Sequence, residues 1–176
     1  MTDRALVDHP AFRYFLEEAA LWRRAQTRAT TVVDAAVQAL LAGVESTSFV
    51  LIAGHGAAEA EGELGELLAA ALAELNLTCL RYGDPETDVL AAAALCRSYL
   101  NGHLEAQQLT QQIHGVYGHD CHPLVEGLSI LDDSFDTLDY TPNPTRAQLE
   151  RSTYEAARAL QTEADAIYRR SRGDAS

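Results

Sequence analysis

The chain contains no lysine. All thirteen basic residues are arginines, and cysteine, methionine and tryptophan number only three, one and one among 176 residues. Each shortage excludes something. Direct nucleic-acid binding rests on neutralising phosphates with Lys and Arg, and here 26 Asp and Glu stand against 13 Arg, a formal net charge of -13. We therefore exclude nucleic acid as the direct partner. Cys79, Cys96 and Cys121 are odd in number and widely spaced, which fits reduced thiols better than a disulfide framework. No run approaches the roughly 20 apolar residues of a membrane span. The beginning, with Asp3, Asp8 and no apolar stretch, does not read as a secretory signal. The expected location is the cytoplasm, away from membranes.

What charge there is comes in blocks. Eleven arginines lie within Met1 to Arg28 and Arg146 to Ser176, whereas seventeen Asp and Glu between Ala29 and Thr145 face only Arg81 and Arg97. The surplus of acid belongs to the middle of the chain. Like charges on a folded body add solubility and cost stability, so a surplus of this size points to a basic partner.

With 47% apolar residues, the chain is long enough for one well-buried core and short for two. Its patterning is helical. We expect an all-α, single-domain helical bundle of about six to eight helices, with an N-terminal helical extension over 1–80 and a second bundle over 84–170. Apolar spacing predicts helices over about Pro10 to Arg28, Thr31 to Ala42 with Gly43 as the stop, and Glu63 to Leu75. Asp84-Pro85 is a cap followed by proline at the first helical position, opening a helix that ends at Asn101-Gly102. Further helices are expected over Leu104 to Tyr117 and Leu124 to Tyr140. Pro142-Asn143-Pro144 breaks the chain, and Thr145 with Gln148 forms a capping box for a last helix to about Arg169. Beyond it, from Arg170, the tail should fray.

One segment reads two ways. Ser48 to Ala53, followed by Gly54-His55-Gly56, resembles a buried strand entering a phosphate-binding turn, with Leu77 to Tyr82 as its parallel partner. The third glycine of that motif is missing, and two strands cannot bury both faces of a parallel sheet. We read Ser46 to Ala53 as a short helix capped by Ser46 or Thr47.

Two constellations carry potential chemistry. His114, His119, Asp120, Cys121 and His122 fall within nine residues, and His103 stands close to three helical turns before His114. These are ligand types for zinc or a related metal, so a metal-binding protein or metalloenzyme using His103, His114, His119, Cys121 and His122 is the alternative function. Their order matches no closed zinc spacing, and polar loop residues between two helices account for it equally well. Asp132-Asp133-Ser134-Phe135-Asp136 reads DDxxD, the pattern by which helical prenyl-diphosphate enzymes hold magnesium. A second such motif is missing, and no lysine stands ready to steady a diphosphate. We expect no catalytic residue and no cofactor.

As a surface, the same segment is more informative. Asp132, Asp136 and Asp139 form a stripe beside the apolar seam of Leu128, Leu131, Phe135 and Leu138, with Asp133 and Tyr140 further round. None has an arginine three or four positions away, so they repel one another. An acidic stripe beside an aromatic suits a basic protein, because charge complementarity gives steering and register. The expected partner-binding residues are Asp132, Asp133, Asp136 and Asp139, with Tyr140 as anchor and Glu126 at the rim. Arg151 or Arg158, lying back from the last helix, is the competing explanation for the acid. A third reading is a helical oligomerisation module, a homodimer formed through apolar stripes of the first two helices.

Arg97-Ser98-Tyr99-Leu100-Asn101-Gly102, Leu109, Ile130-Leu131-Asp132-Asp133-Ser134-Phe135, Asp139-Tyr140, Pro142 and Pro144 together resemble the colicin-D-type bacterial immunity family. The likeness covers Ala93 to Leu160. It implies a small acidic helical bundle that neutralises a cognate nuclease toxin by filling its RNA-binding cleft with acid in place of phosphate. The first eighty residues and the histidine-rich loop depart from that family.

Overall fold

Ser46 decides the ambiguous segment. Its hydroxyl accepts the backbone N–H of Phe49 at 3.2 Å and so caps a helix, where a strand would have left the serine no such role. The computed structural model describes residues 9–81, 84–141 and 143–171, the side chains of 57–61 excepted. Among them the chain is all-α, with eight helices and no strand. These are α1 (Pro10–Arg23), α2 (Ala29–Leu41), α3 (Thr47–Gly54), α4 (Ala57–Glu74), α5 (Pro85–Leu100), α6 (Ala106–Tyr117), α7 (Pro123–Asp136) and α8 (Arg146–Ser171). No helix among the described residues is long and apolar enough to cross a membrane. The chain divides into two units, one comprising residues up to Thr87 and from Ile167 onward, the other Asp88–Ala166.

The first unit is built around α1 to α4, with α2 packed against α1, α3 and α4. Phe12, Phe15 and Phe49 meet at its centre, Phe15 and Phe49 with ring centroids 4.3 Å apart. α1 therefore buries Phe12, Phe15, Leu16, Ala19 and Ala20. At Gly43, φ is +92°, and the Gly43 and Val44 amides close back on the Leu40 and Ala39 carbonyls at 2.9 and 3.1 Å. That is the glycine stop anticipated from the sequence.

The first helix ends five residues sooner than expected, because Ala25 makes the same reversal at φ 55°. Its neighbour Gln26 donates to the Leu21 carbonyl at 2.8 Å. Alanine in the left-handed region is disfavoured, so residue type gave no signal for that stop. Arg28 is left as the extended residue before α2.

The second unit contains α6 packed along α7, with Leu109, Ile113, Val125 and Leu128 buried completely. Ala106, Phe135 and Leu149 form a further core cluster, and Tyr99, Leu131 and Leu138 lie against it. Gln161 of α8 hydrogen-bonds the Ala93 carbonyl, and its side-chain oxygen accepts from Arg97 at 3.0 Å. The Thr145–Gln148 capping box is present, Gln148 Oε1 accepting the Thr145 amide at 2.8 Å. Along α8 the buried residues are Leu149, Thr153, Ala157, Leu160, Ala164, Ile167, Tyr168 and Ser171. The helix continues through Ser171. Residues 172–176 and Pro142 lie outside the described residues, as do Tyr82 and Gly83.

Candidate functional site: the face of α6 and α7

Gly118 makes the turn on which this face depends. It ends α6 at φ 62° and ψ -142°, a region that side chains scarcely enter, and its amide closes the helix on the His114 carbonyl at 3.0 Å. A Cβ there would meet nothing within 4 Å, so the backbone angle alone selects glycine. The reversal brings His119 back over His114, their rings edge to face at 4.7 Å between centroids. His122 then caps α7, its Nδ1 accepting the Leu124 amide at 3.3 Å, and Pro123 occupies the first turn.

Asp132 is not part of an open stripe. It is buried on the side of α7 that faces α6, with Oδ1 accepting from the Thr110 hydroxyl at 3.2 Å and Oδ2 lying 3.0 Å from His114 Nδ1. Helical periodicity placed it beside the apolar seam correctly. It could not tell that α6 would supply polar partners there. Asp133, one position round and half exposed, lies 3.6 Å from His114 Nδ1 and 3.3 Å from His119 Nε2.

The expected stripe also changes course at its far end. The helix stops at Asp136, and 137–140 form a turn in which Tyr140 donates its amide to the Thr137 carbonyl at 3.0 Å. Asp136, Asp139 and Tyr140 are exposed, Tyr140 by 86%. Asp136 is the last helical residue, and no basic residue occupies the last turn of α7. A carboxylate there opposes the negative end of the helix dipole. Neither Asp136 nor Asp139 forms an ion pair among the described residues. Arg151 and Arg158, the competing explanation for the acid, are exposed and pair with no aspartate of α7. Arg146 instead places its guanidinium over the Phe135 ring, 5.8 Å from the centroid. Glu126 is half-buried in the first turn of α7, where a carboxylate is favoured. At 1.5 Å per residue it stands roughly 15 Å along the axis from Asp136.

The histidine-rich loop contributes less than its composition suggested. His114, His119 and Asp133 have ligand atoms within 4.8 Å of one another. His103, Cys121 and His122 do not join them in a group of possible ligands among the described residues. His103 is exposed beyond the end of α5, His122 is engaged as a helix cap, and the Cys121 thiol lies 3.8 Å from the Gly118 and His122 carbonyls. The sequence pattern places Asp133 on the acidic surface, and the structure also makes it a companion of the histidines. Its position one residue after Asp132, facing the loop that follows α6, was the available signal. Burial pushes the Cys79 thiol up to about 11 and the Cys96 thiol up to about 12, so neither is a nucleophile at neutral pH.

Comparison with protein-family models, curated proteins and solved structures finds no match to this chain.

Proposed function

We propose that this is a non-enzymatic, cytoplasmic protein of the immunity or antitoxin kind, which binds a basic protein such as a nuclease toxin through the end of α7. The observation that carries the reading is the pair of exposed carboxylates, Asp136 and Asp139, which have no ion pair among the described residues, stand at the negative end of a helix and are flanked by exposed Tyr140. The fold gains nothing from carboxylates placed there, whereas a partner's arginines and lysines would gain both the charges and the dipole end. Tyr140 adds an aromatic surface of the type that anchors interfaces. Asp133 extends the acidic face, and Asp132 supports it from within.

Occlusion needs no chemistry from this chain. An acidic face seated in a cleft built for phosphate excludes nucleic acid by occupying the same cationic groups. Association should be fast and strongly weakened by salt, because the charges are exposed.

The test is a quantitative capture from the native cell with the wild-type chain and with the double variant Asp136→Asn, Asp139→Asn as baits. One basic protein should be enriched by the wild type and depleted with the variant, and should bind the purified wild type in a salt-dependent manner. Equal recovery by both baits, or recovery of acidic proteins alone, would overturn the reading.

A further inference from the structure

We infer that His114, His119 and Asp133 form a binding site for a zinc-class divalent cation, completed from the inner side by Asp132. The inference does not depend on a protein partner. Four ligands held tetrahedrally at zinc distances of about 2.0–2.1 Å lie about 3.3 Å from one another. The separations here are 3.6 Å from His114 Nδ1 to Asp133 Oδ1, 3.3 Å from His119 Nε2 to Asp133 Oδ2, and 3.0 Å from His114 Nδ1 to Asp132 Oδ2. Each is close to that spacing, although the two Asp133 contacts use different oxygens, and the ligand atoms of His114, His119 and Asp133 all lie within 4.8 Å of one another.

The donor set selects the cation. Two imidazoles with carboxylate oxygens suit zinc, cobalt or nickel, while magnesium and calcium prefer oxygen alone. Asp132 brings a second, independent feature. It is almost wholly buried, one oxygen is held by Thr110, and the other is directed at His114. That oxygen lies against the ring nitrogen that would bind the ion, so it stands beside the metal position and not behind the ring. On binding through Nδ1, His114 carries its ring proton on Nε2, and Asp132 Oδ2 is released to take the fourth corner.

The site would join three separate pieces of backbone: α6 through His114, the loop after Gly118 through His119, and α7 through Asp133. A bound cation would therefore resist opening of the α6–α7 pair as well as neutralise part of its acid. The linkage raises the melting temperature in proportion to the logarithm of metal concentration once the site is saturated.

The experiment is calorimetric titration of zinc into protein prepared without a polyhistidine tag, with thermal melts in the presence and absence of zinc and with cobalt as a spectroscopic probe. The wild type should bind zinc stoichiometrically, melt higher with it, and give the visible absorption of tetrahedral cobalt. Asp132→Asn removes the charged oxygen at the fourth corner and should lower the zinc affinity read in the titration. His119→Ala, in an exposed loop, should keep the circular dichroism of the wild type and lose the cobalt signal. Absence of stoichiometric zinc binding by the wild type, or unchanged zinc affinity in His119→Ala, would overturn the site. His119 is not assigned to the partner face, so failure here leaves that reading standing and failure of the partner capture leaves this one.

Discussion

Glu74 and Asp136 occupy equivalent positions, each the last residue of its helix, α4 and α7, where a carboxylate faces the negative end of the dipole. Glu74 is met by donors. The Ser46 and Ser48 hydroxyls each donate to it at 2.6 Å, and the Ser48 amide donates at 3.2 Å, so the end of α4 is joined to the start of α3. Asp136 receives no ion pair among the described residues and ends α7 exposed. The first carboxylate is part of how the fold closes. For the second the described residues supply no ion pair, which is the basis for proposing a partner outside the chain.

A third carboxylate sharpens the contrast and gives the largest expected effect. Asp132 is buried among polar partners, so Asp132→Ala leaves Thr110 and His114 without it and should cost about 1–3 kcal/mol, read as a lower urea midpoint at unchanged slope. Gly118→Ala should cost about 1–3 kcal/mol through backbone strain. It should also displace His119, seen as loss of the His119 to His114 proximity in nuclear Overhauser spectra. If Gly118→Ala leaves that proximity intact, the turn is not what positions the loop.

For Glu74 the expected signature is in the pH dependence. The Ser46 hydroxyl, then Ser48 through its hydroxyl and amide, hold its carboxyl below the usual glutamate range. A depressed folded value means stability that is present above the unfolded value and lost as the pH falls through the folded one. Glu74→Gln should lower the melting temperature at pH 7 and flatten its decline in acid. A variant whose acid decline parallels the wild type would show that the Glu74 contacts contribute nothing. The smallest expected effect is at Ala25, where Ala25→Gly relieves a left-handed residue and should raise stability by roughly 1 kcal/mol or less, measured by the urea midpoint.

Most of the helices were legible because capping and periodicity are local. Asp84-Pro85, Asn101-Gly102, Gly43 and the Thr145–Gln148 box announce themselves within four residues, and Ser46 separated helix from strand. What was not legible depends on neighbours distant in sequence. Periodicity put Asp132 at the edge of the α7 seam, but its burial depends on Thr110 and His114, some twenty residues away in α6. The histidine-rich loop likewise gave the right residue types and too many of them, because cap formation by His122 and the turn at Gly118 decide which imidazoles converge. Ala25 shows the converse, a left-handed stop that its residue type gives no reason to expect.

The claim on which the functional reading stands is that the fold has no use for the carboxylates at the end of α7. Equilibrium urea denaturation of the Asp136→Asn, Asp139→Asn double variant measures this without any partner. Removing charge from the negative end of a helix should leave stability unchanged or raise it, by about 0.3–1 kcal/mol for the helical position. A loss of more than about 1 kcal/mol, well beyond the usual range for surface substitutions, would show that the fold relies on those carboxylates and would contradict their assignment to a basic partner.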